Sequence, residues 1–219
     1  MKRLLILGIT TLVSLYAFSQ TKEPRKIKYI LKAGLTFPEF LYNNKVDVSN
    51  PKPNTGFYIG ALVGVPVNKL FSVQSGLSLV SKGNKASYQS YVEDINLLYL
   101  EVPVNLIANF NIGHTGNHIL VGAGPYLGFG LNGGVLQKTY GTASVTPQTK
   151  LSEDITFGNG PNSYQTVDFG FNFLLGYQLR NGLGINGGYN LGITNVYDAP
   201  ATNQKIMNSG FSVGLSFSF

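Results

Sequence analysis

The sequence predicts an all-β chain folded as an eight-stranded antiparallel up-and-down barrel that crosses a membrane. Three observations predict it. The first is a period of two, plainest in 209–219, S-G-F-S-V-G-L-S-F-S-F. There Phe211, Val213, Leu215, Phe217 and Phe219 share one face, and Ser212, Gly214, Ser216 and Ser218 the other. The second is composition: 43% hydrophobic residues and 27 glycines stand against 12% charged residues, about half the charged share of an ordinary soluble domain. The third is a regular alternation of long and short connections. In water, a final strand with so apolar a face would invite aggregation. Lipid outside, and a partner along its edge, remove that hazard.

Residues 1–19 read as a signal peptide. Lys2 and Arg3 open it, an apolar stretch runs to Phe18, and Ala17-Phe18-Ser19 places small residues before a cut ahead of Gln20. The stretch is shorter than the ~20 residues of a membrane-spanning helix. Residues 20–28 form a periplasmic leader and 29–219 the barrel. No cysteine is present, so neither a disulfide framework nor a lipid-anchored N-terminus is expected. The net charge of +6 is concentrated at the start of the chain. Setting aside Lys2, Arg3, Lys22, Arg25, Lys26 and Lys28, and Glu23 with them, leaves ten basic and nine acidic residues. No basic face remains to hold a nucleic-acid backbone. The leader can touch anionic headgroups.

Eight segments repeat the pattern of the last strand: 29–37, 55–65, 70–81, 96–109, 117–131, 166–179, 182–194 and 209–219. Each reaches the ~9–11 residues that cross a bilayer as a tilted strand. Long polar links follow the odd-numbered strands (38–54, 82–95, 132–165 and 195–208), and short ones the even-numbered (66–69, 110–116 and 180–181). Outer-membrane barrels carry long external loops and short periplasmic turns. Eight strands with that rhythm put both termini in the periplasm.

One face collects Leu31, Ala33 and Leu35, then Phe57, Ile59 and Val63, then Leu100, Val102 and Val104, and so on to Phe171, Phe173 and Leu175. The other holds Thr36, Tyr58, Gln74, Ser78, Asn105, Asn172, Asn186 and Asn190, with the in-strand charges Lys32, Glu101 and Asp168. The arrangement is apolar-out and polar-in. A periplasmic lipocalin-like carrier would need the reverse, with an apolar lumen and a well-charged exterior. Aromatics near the strand ends (Tyr29, Phe71, Phe110, Tyr177 and Phe219 at one end; Phe37, Phe57 and Phe169 at the other) match interfacial girdles.

An eight-stranded interior is just wide enough for side chains to fill. Inward Tyr58, Tyr99 and Tyr126 among Gly60, Gly64, Gly122, Gly124 and Gly128 predict a plugged scaffold rather than a pore. Unpaired buried charges are costly, so Lys32, Glu101 and Asp168 are expected to join Asn105 and Asn172 in a structural polar network. In it, Lys32 meets Glu101 low in the lumen and Asp168 is bonded nearer the outer mouth. Pro103 and Pro125 fall at similar height in adjacent strands. A closed barrel has no edge to receive a proline, so a bulge or a weakened ladder is expected there.

The run Tyr99-Leu100-Glu101-Val102-Pro103-Val104 resembles the Y-L-E-I-P-L signature of PorT-like outer-membrane barrels. Gly122-Ala123-Gly124-Pro125-Tyr126-Leu127-Gly128 resembles the G-x-G-P-Y-x-G strand that follows it. Asp168-Phe169-Gly170 resembles the family's D-x-G strand, and the terminal Phe219 agrees. The resemblance implies an integral outer-membrane protein with an eight-stranded barrel. The member that names the family is implicated in type IX protein secretion, a role that kinship of fold does not transfer.

The function expected is therefore non-enzymatic: a structural or interaction barrel in outer-membrane lipid, monomeric, touching envelope or secretion proteins through its external loops. Tyr140, Phe157 and Tyr164 in loop 132–165 are the candidate contact residues. A membrane-embedded lipid-modifying enzyme is the rival class, and it needs a nucleophile beside a base. His114 and His118 are the only histidines, and both fall at the short-turn end, away from outer-leaflet lipid. No catalytic residue is assigned. No metal-ligand cluster or phosphate-binding glycine loop is read, so no cofactor is expected. A narrow channel is a third reading, disfavoured by the filled lumen.

Overall fold

In a computed structural model the described residues are 26–42, 51–87, 91–139, 150–158, 163–197 and 205–219. The expected signal peptide, most of the leader and Tyr140 lie outside them. Ten strands form: β1 (Lys28–Tyr42), β2 (Pro51–Lys52), β3 (Gly56–Pro66), β4 (Phe71–Ser87), β5 (Tyr91–Ile112), β6 (Asn117–Thr139), β7 (Lys150–Asp154), β8 (Val167–Gln178), β9 (Leu183–Gly192) and β10 (Ile206–Ser218). Eight of them close a ring in the order β1-β3-β4-β5-β6-β8-β9-β10, every neighbour antiparallel. These eight are the expected segments. Their closure is a full ladder from Ile30↔Ser218 to Tyr42↔Ile206, tied at its foot by reciprocal Tyr29–Phe219 backbone bonds of 2.9 Å. Closure leaves the ring without an open sheet edge, a condition for a sheet to cross lipid.

Two parts of the expected loops are strand instead. Residues 82–95 are largely a hairpin, in which Lys82↔Leu97 through Ser87↔Val92 continue the β4–β5 ladder. Likewise β1 runs on to Tyr42 against Ile206. These extensions lack the apolar-out alternation because they project beyond the apolar belt, where a strand needs its ladder but no lipid face. Short β2 pairs with the far end of β4, and β7 with that of β6. They prolong the wall at the long-loop end.

The faces follow the sequence. Phe211, Leu175, Leu215 and Ile185 are about as exposed as any residue of the wall, at 59–61%, whereas Tyr58, Tyr99, Tyr126, Glu101, Asn105 and Asp168 are buried inside. That outcome excludes the lipocalin-like arrangement. Glycine is required where strands cross closely. A Cβ on Gly34 would strike the Val213 carbonyl oxygen and the Tyr58 ring, and one on Gly124 the Val104 carbonyl oxygen.

The proline expectation holds as a weakened ladder. The β5–β6 pairs run to Pro103↔Tyr126 and resume at Leu106↔Ala123. The β4–β5 pairs similarly lapse between Ser75↔Val104 and Ser78↔Glu101. The one register shift on β5–β6 lies elsewhere, at Leu98/Tyr99.

Following the pairing round the ring gives the stagger. With the registers carried across the lapse on β4–β5 and one residue past the β9–β10 ladder, the row from Ile30 passes Leu62, Gly76, Pro103, Tyr126, Gly170, Gly192 and Asn208, and it returns to β1 at Phe40, ten residues above its start. Ten residues shared over eight strands make each step climb roughly 1.25 residues, the tilt a closed barrel demands. Residues on one hydrogen-bonded row therefore sit at different depths.

Candidate functional site: the sealed lumen

The stagger decides which charges meet. Lys32, Gly60, Ser78, Glu101, Gly128 and Asp168 lie on one row, yet that row rises by about six residues between Lys32 and Asp168. Lys82, four residues above Ser78 on β4, arrives level with Asp168. Its ammonium lies 2.5 Å from Glu101 Oε1 and 2.7 Å from Asp168 Oδ2. The expected Lys32–Glu101 contact is not among the ion pairs of the described residues. Lys32 instead stands 5.5 Å from the Tyr58 ring centroid, too low to displace Lys82.

The triad is dry. Lys82, Glu101 and Asp168 are 4%, 2% and 0% exposed. Lys82 also lies over the Tyr126 ring at 4.1 Å and the Tyr99 ring at 5.1 Å, where the negative ring faces add to its stabilisation. Asp168 accepts hydrogen bonds from Tyr126 Oη (3.1 Å), Asn208 Nδ2 (2.9 Å) and Thr194 Oγ1 (2.8 Å). Four elements, β4, β6, the segment after β9, and β10, thus converge on one carboxylate.

Of the expected network, Asp168 and Glu101 join the triad. Asn172 accepts from Asn190 Nδ2 at 2.7 Å on the neighbouring strand, and Asn105 faces a chamber below with its Oδ1 unpartnered. Lys82, Thr194 and Asn208 were not anticipated: Lys82 and Asn208 fall in stretches read as loop, and Thr194 is the last residue of the segment 182–194 read as strand. Parity carried the missing signal for Lys82: Ser72, Gln74, Ser78, Val80 and Lys82 continue one inward face.

Above the triad, Phe40, Ile95, Leu97, Tyr99, Tyr164 and Val196 form a buried cluster, with Tyr42, Ile155, Phe157 and Tyr197 packed on it. Phe157 stacks edge-on against Tyr99 at 5.6 Å, and Tyr164 lies 5.0 Å from Tyr197. Backbone bonds Gly158 N–Tyr164 O and Gln165 N–Val196 O, each 2.9 Å, tie the two loop segments together. Tyr164, expected as an outward contact, is therefore turned inward at 9% exposure, and Phe157 with it. Burial pushes the Tyr164 phenol above its ordinary range. The physical reason is simple: an aromatic-rich loop over an apolar mouth gains more by covering it than by facing water.

Three spaces follow one another down the lumen. A cavity of about 10 Å³ lies beside Lys82 and Asn208, one of about 50 Å³ lies between Glu101, Asn105 and Lys32, and one of about 170 Å³ lies between Lys28, Gln74, His118 and Gln178. The lumen narrows from the short-turn end and closes at the long-loop end. His118 Nδ1 lies 2.8 Å from Asn111 Oδ1, and His114 stands exposed in the turn below.

A ring of eight antiparallel strands, apolar outside and polar and filled inside, defines an integral membrane β-barrel. The chain belongs to the family described as the outer membrane protein beta-barrel domain, whose model matches residues 18–198. It is an outer-membrane β-barrel protein. Its fold is similar to that of Ail, the attachment invasion locus protein of Yersinia pestis, at 13% identity over 89% of this chain and 100% of that one, with a TM-score of 0.44. It is similar also to Neisserial surface protein A, at 11% identity over 89% and 100%, with a TM-score of 0.46. The N-terminal β-barrel domain of Pseudomonas aeruginosa OprF matches at 10% identity over 90% and 100%, with a TM-score of 0.34. Among curated proteins, none matches the sequence.

Proposed function

We propose that this barrel is a non-enzymatic scaffold. It stands in the outer membrane with both termini in the periplasm and offers its long-loop end to partners in the envelope. The observation that carries the reading is the plug: the triad and the aromatic cluster spend the lumen's polar groups and the loop aromatics on closing the mouth. A solute path is not the use such an interior favours. The outward-facing remainder of the loops, with exposed Glu153 and Asp154 on β7, is then the surface left for contact. The lipid-modifying alternative draws no support from His118, whose ring is engaged by Asn111 at the short-turn end.

Within that scaffold reading, the resemblance of the Tyr99–Val104 and Gly122–Gly128 motifs to PorT-like barrels favours an accessory part in protein secretion or envelope biogenesis. Co-purification from detergent-solubilised membranes tests it. An envelope protein should travel with the full chain and be lost when 141–149 is replaced by a glycine-serine linker. Retention of the same partners by the loop variant, or an empty pull-down from the intact chain, would refute the reading. Orientation is tested separately, by protease or thiol-label access to single cysteines placed at Gly113 and at Asp154 in intact cells. The scaffold reading requires Asp154 to be the labelled one.

A further inference from the structure

Below the triad the lumen holds a space that the scaffold reading leaves unused. The cavity at the short-turn end has a volume of about 170 Å³, comparable to the engineered cavity of about 150 Å³ that admits a benzene ring. Its lining includes Lys28, Lys32, Lys69 and His118, and no carboxylate stands among the described residues around it. A low-dielectric wall concentrates the field of such a set and draws anions inward.

The chamber of about 50 Å³ that continues it shares Lys32 and Asn186 with it, and the one carboxylate in its lining, Glu101, is paired with Lys82. Lys32 takes part in no ion pair among the described residues, and the Tyr58 ring is its one cation–π contact there. Two polar atoms of the same chamber, Asn105 Oδ1 and Asn186 Nδ2, are buried without a hydrogen-bond partner, and Asn105 is only 2% exposed. Buried polar groups left unpaired are rare and costly, and each calls for an occupant. A free cation, a free amide donor and a free carbonyl acceptor therefore converge at the inner end of a basic vestibule. The cation and the donor suit an oxyanion. The acceptor suits a hydroxyl.

We infer that this vestibule binds a small hydroxylated oxyanion, of the size and chemistry of a sugar phosphate. Lys32 and the Asn186 amide take the anionic group, and Asn105 Oδ1 accepts from a hydroxyl. Lys28 and Lys69 at the rim steer the ligand in. In the orientation proposed above the vestibule opens to the periplasm, but binding does not depend on orientation or on any partner of the loops. Its failure and the failure of the scaffold reading are therefore separate results.

The test is isothermal titration of the full barrel in detergent micelles at low ionic strength, with inorganic phosphate and glycerol 3-phosphate as probes. Both should bind saturably, one per barrel, with glycerol 3-phosphate tighter by about threefold to tenfold, the worth of one neutral hydrogen bond. Lys32→Gln should weaken both by about tenfold or more, the worth of one charge-assisted bond. Lys52→Gln, at the opposite end of the barrel, should leave binding unchanged. Absence of saturation with either probe, or wild-type affinity in a folded Lys32→Gln barrel, overturns the inference; water alone then fills the chamber. Should Lys32→Gln fail to fold, the side-chain amide signals of Asn186 and Asn105 in the wild-type barrel decide. Shifts that saturate with glycerol 3-phosphate support the site, and unmoved signals refute it.

Discussion

Replacing Lys82 by methionine removes the only cation between two carboxylates and keeps most of the side chain's volume. As folded, the triad carries one positive and two negative charges, with Lys82 touching both acids at 2.5 and 2.7 Å. After the change Asp168 keeps three hydrogen-bond donors, from Tyr126, Asn208 and Thr194, whereas Glu101 loses the one ion-pair partner it has among the described residues. Breaking a buried pair from one side costs about 3–5 kcal/mol, because the charge left behind is neither paired nor hydrated. Lys82→Met should therefore destabilise the barrel by about that amount. Glu101→Gln should cost far less, since it leaves one cation facing one anion. Adding Glu101→Gln and Asp168→Asn to Lys82→Met should restore most of the loss, a non-additivity expected of groups sharing one network. The assay is urea unfolding in lipid vesicles. With no tryptophan and 13 tyrosines, it is followed by far-ultraviolet dichroism or by the gel mobility of the unboiled barrel. Lys82→Met within about 0.5 kcal/mol of wild type, a difference ordinary for an inconsequential surface change, would refute the reasoning. So would Glu101→Gln costing as much as Lys82→Met.

Four further outcomes are expected. Ile59→Lys, in the middle of β3 on the lipid face, should cost about 2–4 kcal/mol in the same assay, while Val65→Lys at the short-turn end of that strand should cost about 0–1, the depth dependence of a charge on a barrel's outer wall. Gly34→Ala places a Cβ against the Val213 oxygen and the Tyr58 ring, so it should destabilise by about 1–3 kcal/mol through overpacking, read as a lowered urea midpoint. Tyr164→Ala should loosen the mouth without melting the wall. Hydrogen exchange at Gln165 N–H, bonded to Val196 O, should lose protection corresponding to about 3 kcal/mol, while the β1–β10 ladder keeps its own. In planar bilayers the full chain should show no steady conductance, and stable single-channel steps would contradict a lumen closed at the triad.

The wall of this barrel was legible in the order of residues. Period-two alternation put Phe211 and Leu215 outside and Glu101 and Asp168 inside, because a strand has only two faces and lipid tolerates only one kind of side chain. The rhythm of long and short links counted the strands. Pro103 and Pro125 marked where the ladder fails, because a missing N–H is a local fact. The plug was less legible. Phe157 and Tyr164 read as exposed loop aromatics, since nothing in their own neighbourhood tells that Tyr99 and Val196 wait beneath them. Only the closed ring decided how high each charge stands. A stagger of ten residues from Ile30 to Phe40 lifts Asp168 away from Lys32 and brings it level with Lys82. Stagger belongs to all eight strands together, so no single strand records it. Local sequence chooses the face of a side chain, and the geometry of closure chooses its partner.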